Sequence, residues 1–218
     1  MLFSILIPTL ESRKATFQKL HAELSHQIHS QNLSQDVEVI HLCDAGELSI
    51  GAKRNALLDQ ASGDFLAFVD DDDLVSPDYV SRICHAIRLD PSVDCIGIRA
   101  IITFRGARPS PMSYSVHNRD ISSRGHEYFR PPFHWNPIRR TIATRYRFPD
   151  VSYSEDFHWA LLMRDDGVLR RETPIDSPIY FYLSRRWWPY QFALDITEGL
   201  RHSFGLTMVN RLRLKRPQ

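Results

Sequence analysis

Gly63-Asp64-Phe65-Leu66-Ala67-Phe68-Val69-Asp70-Asp71-Asp72-Asp73-Leu74 decides the reading of this chain. Its first part is a near-continuous apolar run, the pattern of a strand buried on both faces of a parallel sheet. Four adjacent carboxylates follow. Each close pair repels by about 1 kcal/mol even in water, so the run requires a compensating cation or full solvation. Open α/β sheets bind ligands at the carboxyl ends of their strands, which is where these acids would emerge. Oxygens clustered on a rigid strand end suit a hard divalent cation, Mg2+ or Mn2+, bridging a diphosphate. A solvated loop of acids is the competing reading, and only the surrounding sequence separates the two.

Upstream, residues 2–7 form a β-rich run that stops at Pro8-Thr9. Phe17, Leu20, Leu24 and Ile28 then recur at helical spacing, and residues 37–42 make a second β-rich run. A helix over 49–61 carries Lys53, Arg54 and Asn55, and another helix starts near Ser76-Pro77. Strand and helix thus alternate three times in about 90 residues, the signature of βαβ units around a parallel sheet. After Asp94 the pattern changes. Residues 95–104 read as a strand, 105–111 as a turn-rich loop, and 112–117 as a strand that pairs back. Residues 124–137 hold three prolines and no period, which predicts a loop packed by aromatics. A helix follows from Ser154, its candidate N-cap, through Glu155 and Asp156, and residues 179–183 read as a strand.

The chain has 218 residues, 43% hydrophobic and 24% charged, enough for one sizeable domain. Its formal net charge of +1 hides an asymmetry. Residues 1–98 carry 7 Lys and Arg against 15 Asp and Glu, while residues 99–218 carry 20 against 11. The first half is built to hold cations, and the second, nearly all Arg, to meet an anion. Residues 1–7 lack a basic leader and a cleavage site, so they read as a strand rather than a signal peptide. No apolar run reaches the ~20 residues of a transmembrane segment. Cys43, Cys84 and Cys95 lack metal-type spacing and suit thiols in a reducing, cytoplasmic setting.

Four motifs in order, Ile7-Pro8-Thr9, Asp44, Lys53-Arg54-Asn55 with the Asp70–Asp73 run, and Ser154-Glu155-Asp156, make the chain resemble the family 2 glycosyltransferases of the GT-A fold. The resemblance implies an α/β fold whose central, mostly parallel sheet is flanked by helices. It implies a nucleotide-sugar-binding half over 1–98, and an acceptor-binding and catalytic-base half over 99–218 of the same domain. On that basis Pro8, Thr9 and Asp44 hold the nucleoside base, and Arg54 faces the nucleotide beside a Lys53 that is solvated surface. Asp70 and Asp71 serve the sugar donor, Asp70 and Asp72 the Mn2+ or Mg2+ ion, with Asp72 the direct ligand. Whether Asp71 or Asp73 shares that work stays open. Asp156, or Glu155 after it, is the base that removes the acceptor hydroxyl's proton in a single inverting displacement.

The donor expected is a UDP-sugar. Histidines 117, 134 and 158 are each candidates for a third metal ligand. His134 beside Trp135, and Arg185-Arg186 beside Trp187-Trp188, are candidate acceptor or diphosphate contacts. Arginine interleaved with aromatics points to an anionic acceptor: a cell-surface glycan or lipid-linked precursor, with DNA bearing modified bases as the alternative. The basic stretch 211–216 suits peripheral membrane contact. A nucleotidyltransferase would open with a glycine-rich loop after the first strand, and residues 8–13 contain no glycine. A processive synthase would carry a Gln before Arg186-Trp187 and membrane spans. A non-catalytic carbohydrate- or nucleic-acid-binding module of the same fold has no evident need for both acidic motifs.

Overall fold

The computed structural model describes residues 1–104 and 107–184, and its compact unit runs from Met1 to Leu183. Strand β1 (Phe3–Leu10) is buried along seven of its eight residues and turns through Glu11–Arg13 into helix α1 (Lys14–Ser30). Strand β2 (Val37–Asp44), helix α2 (Ile50–Gln60) and strand β3 (Phe65–Phe68) follow. β2 and β3 flank β1 and both run parallel to it, with Leu10 opposite Asp44 and Leu6 opposite Phe68. Parallel neighbours need crossover connections, which α1 and α2 supply. The register therefore delivers Thr9, Asp44 and the Asp70–Asp73 turn to one edge of the sheet.

Beyond β3 most pairings become antiparallel. The elements are β4 (Leu74–Val75), α3 (Tyr79–Leu89), β5 (Cys95–Phe104), β6 (Ala107–Tyr114), β7 (Ser122–Arg124), β8 (Glu127–Arg130), β9 (Ile138–Arg139), α4 (Arg140–Ala143), α5 (Glu155–Asp165) and β10 (Glu172–Ser184). Among the described residues the sheet order is β2-β1-β3-β9-β5-β6-β8-β7, with β10 joined to β4 and β5. This is the mixed α/β architecture, a parallel core flanked by helices, that the alternating pattern indicates.

Several local expectations differ from the structure. The turn-rich stretch 105–111 is strand from Ala107 onward, because β5 and β6 form a hairpin in which Phe104 pairs with Ala107. The first part of 124–137 is not loop: β8 pairs with both β6 and β7. Helix α3 starts at Tyr79, and Ser76 Oγ donates to Asp78 Oδ1 at 2.7 Å instead of capping. Ser154 precedes α5 but makes no side-chain cap.

One face of the sheet, bearing Leu6, Leu66 and Phe68, packs on Leu57 and Leu58 of α2, Ile142 of α4, and Trp159 and Met163 of α5. Trp159 stacks on Phe148 with ring centroids 4.6 Å apart, and Phe68 meets both rings edge to face. Truncating a buried tryptophan costs about 3–5 kcal/mol. Trp159 therefore clamps the start of α5 against the end of β3. A second clamp lies at Gly51, where any Cβ would stand 1.8 Å from the Pro149 carbonyl oxygen. Its N–H donates to Val151 O at 3.0 Å, binding segment 149–154 to the head of α2. No helix among the described residues is long and apolar enough to cross a membrane.

Candidate active site

The acidic turn resolves its own repulsion by alternation. The side chains of Asp70 and Asp72 are 25% and 22% exposed, whereas Asp71 and Asp73 are buried. Asp71 accepts from Thr9 Oγ1 at 2.6 Å and from Arg13 Nη1 at 2.8 Å. Asp73 accepts from Tyr180 Oη at 2.8 Å and from the Leu183 N–H at 3.1 Å. The same Tyr180 oxygen accepts the Asp70 N–H at 3.1 Å, so one phenol from β10 staples both ends of the turn. Pairing of Tyr180 with Val75 and of Phe181 with Leu74 brings it there. Burial and the neighbouring Asp70 charge push the Asp73 carboxyl well above the usual carboxylate range.

Asp70 is a hub. Its Oδ1 accepts from Arg54 Nη2 at 2.9 Å, and its Oδ2 lies 3.3 Å from His134 Nε2 and 3.4 Å from Trp135 Nε1. Burial alone would raise its carboxyl, but Arg54 and His134 hold it far below the ordinary range. Arg54 is itself buried on α2, and its Nε donates to Glu155 Oε1 at 3.0 Å. Its guanidinium packs 5.0 Å from the Phe68 ring centroid. Burial opposes its charge, yet Asp70, Glu155 and Asp156 raise its pKa further. Arg54 Nη1 has no hydrogen-bond partner among the described residues, an orphan worth about 1–3 kcal/mol.

The loop before β9 supplies the second link. Buried Asn136 donates to Ile96 O and Tyr114 O and accepts from the Phe133 N–H, while Phe68 N–H donates to His134 O. This fixes the loop so that the buried His134 ring points Nε2 at Asp70 and Nδ1 at Asp156, whose Oδ2 is 3.5 Å away. Trp135 stacks on Tyr180 at 4.4 Å. Ser154, just ahead of Glu155, sits in the left-handed region at φ 62°. Such non-glycine conformations are costly and cluster at functional sites. Glu155 is buried against Arg54, and its carboxyl is pushed up by burial and by Asp156. Asp156 keeps 24% of its side chain exposed. The buried guanidinium of Arg54 thus joins the strand-end acid Asp70 to the helix-start acid Glu155, and the buried ring of His134 lies between Asp70 and Asp156.

At the other end of the edge, Asp44 accepts from Gly46 N–H at 3.1 Å, from Leu48 N–H at 2.9 Å and from the Lys53 ammonium. Lys53 is not solvated surface. It is 2% exposed and also donates to Thr9 O at 2.8 Å. The ion pair with Asp44 and the bond to Thr9 O offset the cost of burying this charge. Arg54, placed by sequence against the nucleotide, here spans the two acidic motifs. Of the three histidines, His117 is exposed and His158 half-buried, and His134 alone touches both acids. Arg185, Arg186, Trp187, Trp188 and the stretch 211–216 lie outside the described residues.

The family model described as glycosyl transferase family 2 matches residues 22–167. This chain belongs to glycosyl transferase family 2. A 62-residue stretch is 39% identical to the succinoglycan biosynthesis protein ExoM of Rhizobium meliloti, covering 28% of this chain and 19% of that protein. Among solved structures, S. aureus TarS (residues 1–349, in complex with UDP-GlcNAc) is similar with a TM-score of 0.53 and 17% identity, over 86% of this chain and 60% of that one. Glucosyl-3-phosphoglycerate synthase from Mycobacterium tuberculosis, in complex with Mn2+, UDP and phosphoglyceric acid, is similar with a TM-score of 0.51 and 14% identity, over 100% and 80%. These likenesses show a shared GT-A fold. The present chain spans only part of the length of the relatives it matches.

Within this family 2 site, sequence reading overlooks Arg13, Tyr180 and the contact of His134 with Asp70, since these act across 58, 107 and 64 residues of chain. For a divalent cation, no three His, Cys, Asp or Glu side chains converge among the described residues. Both Asp70 oxygens are engaged, while Asp72 is part-exposed with Arg13 Nη1 at 3.4 Å. A site offering one or two carboxylates fits a hard cation whose remaining ligands are water and diphosphate oxygens.

Proposed function

We propose that the chain transfers a sugar from a nucleotide-diphosphate donor, UDP-linked, to an acceptor hydroxyl with inversion. The observation that carries this reading is the placement of Asp70 and Asp156 on opposite nitrogens of the buried His134 ring, 3.3 Å from Nε2 and 3.5 Å from Nδ1, which sets the donor-side acid near the base. Residues 1–98 serve the donor: Pro8, Thr9 and Asp44 hold the base, and Arg54, Asp70 and Asp71 serve the rest of the sugar donor. Arg54 Nη1 is a buried N–H that a phosphate or ribose oxygen would satisfy. Asp72, with Asp70 beside it, would hold Mn2+ or Mg2+, which supplies neutralisation of charge on the leaving diphosphate.

Residues 99–218 serve the acceptor. Asp156 removes its proton, and Glu155 stays locked on Arg54. The arginine excess of this half favours an anionic acceptor, a cell-surface glycan or lipid-linked precursor, in a cytoplasmic setting that suits free thiols at Cys43, Cys84 and Cys95.

The test is a thermal-shift screen of nucleotide sugars with and without Mn2+. A UDP-sugar at 100 times its Kd should add about 2.7 kcal/mol, only with the cation, and Asp72→Ala should abolish the gain. Equal stabilisation in EDTA would remove the cation from the account, and a stronger response to another nucleotide would remove uridine. Duplex DNA binding that falls steeply between about 50 and 200 mM salt would move the acceptor to nucleic acid.

A further inference from the structure

Among the described residues Lys53 is the one buried lysine, and its surroundings say what it does. It reaches from α2 to the ends of two strands at once, donating to Thr9 O of β1 and pairing with Asp44 Oδ1 of β2. Thr9 and Asp44 sit at adjoining positions, since Leu10 is the register partner of Asp44. A carboxylate has about four acceptor positions. On Asp44 three are filled, by Lys53 and the Gly46 N–H on Oδ1 and by the Leu48 N–H on Oδ2. Gly46 can turn its N–H inward because its φ of 111° is open to glycine. One acceptor position remains, on Oδ2, and the side chain as a whole is 13% exposed.

We infer that Lys53 is a positioning residue for nucleobase selection: it holds Asp44 as a pure acceptor with one vacant lone pair, so that the site takes a base edge presenting an N–H and rejects one presenting a bare ring nitrogen. The inference rests on the donor reading above. Uracil N3–H and guanine N1–H satisfy such an acceptor, whereas cytosine N3 and adenine N1 set lone pair against lone pair. An unpaired buried polar group on both partners is the source of strong discrimination. Without the ammonium, the Asp44 carboxylate is free to rotate or take up a proton, and a protonated carboxyl donates to the very ring nitrogens that the ionised one repels. Lys53 acts through Asp44; it does not touch the base.

The experiment is calorimetric titration of UDP, CDP, GDP and ADP, each with Mn2+, into the wild type, Lys53→Met, Lys53→Arg and Asp44→Asn. The wild type should prefer UDP to CDP by about 100-fold or more. Lys53→Met should bring that ratio to within about 10-fold. Lys53→Arg should restore most of it. Asp44→Asn, whose amide both donates and accepts, should also narrow it. A merely structural lysine would weaken all four nucleotides alike and leave the ratio unchanged, which would overturn the assignment. If Lys53→Met does not fold, Lys53→Gln gives the same reading, and an unchanged ratio there overturns it equally. A wild type that binds no nucleotide overturns the donor reading itself; a selective wild type with an equally selective Lys53→Met overturns only the role of Lys53.

Discussion

His134 Nδ1 stands 3.5 Å from Asp156 Oδ2, inside a ring whose other nitrogen faces Asp70. The imidazole is 1% exposed and held by a loop that Asn136 ties to β5 and β6, so the distance is set by packing rather than by solvent. The helix start holds the same carboxylate by its other oxygen, Oδ1 accepting the Phe157 N–H at 2.7 Å, so Oδ2 is the oxygen turned to the imidazole.

Replacing that ring should therefore affect turnover more than binding. His134→Ala is expected to lower kcat by about 10- to 100-fold, because misplacing a reacting group by an ångström costs about 100-fold. The Kd for UDP should change less than kcat, because the Asp44 end of the site is untouched while Asp70 loses one of its partners. Steady-state kinetics beside calorimetry separates the two, and a loss confined to nucleotide binding would remove His134 from the base.

Arg54 carries the largest structural debt of the site. Arg54→Met would leave Asp70 and Glu155 without their shared cation in a buried setting, and breaking such a pair costs about 3–5 kcal/mol. Urea denaturation should show that loss. The double variant Arg54→Met with Glu155→Gln should recover part of it, since one uncompensated charge is then gone. Equal stability of wild type and Arg54→Met would mean that the pair is solvated.

The pH dependence should have two limbs of opposite sign. The Asp70 carboxyl is depressed by Arg54 and His134 against the opposing effect of burial, so the stability it contributes is fully present above the ordinary value of about 3.9 and is lost as pH falls below it. Asp73 and Glu155 are raised, chiefly by burial. Their ionisation weakens the fold at neutral pH, and protonation as pH falls toward about 4 returns stability. Denaturation profiles between pH 3 and 8 should show Asp73→Asn flattening the upper limb and Asp70→Asn the lower. Superimposable profiles for all three proteins would contradict the assignment.

The parts of this architecture that were legible in sequence are those written locally. The apolar run 65–69, the helical spacing of Leu20, Leu24 and Ile28, and the acids at 70–73 and 155–156 each sit within one element, and the family motifs give their order. Strand β9 and helix α4 span only two and four residues, too short for any period to register. Residues 105–111 look like a turn because prolines punctuate them, yet hairpin pairing with β5 overrides that signal. Long-range partners were hidden for a different reason. Lys53 reads as surface because lysines usually are, and only the crossover that sets α2 beneath Asp44 makes its burial favourable. Tyr180 lies 107 residues from Asp73, and nothing near either marks the other.

The measurement that tests the central claim most directly is UDP release from a UDP-sugar, with Mn2+ and acceptor present, compared between the wild type and Asp156→Asn. The substitution keeps the shape of the side chain and its approach to His134 while removing the basic carboxylate. Turnover should fall by about 10²- to 10⁴-fold, the usual contribution of a general base, with the Kd for UDP unchanged. Wild-type turnover in Asp156→Asn would contradict the account and pass the role of base to another group.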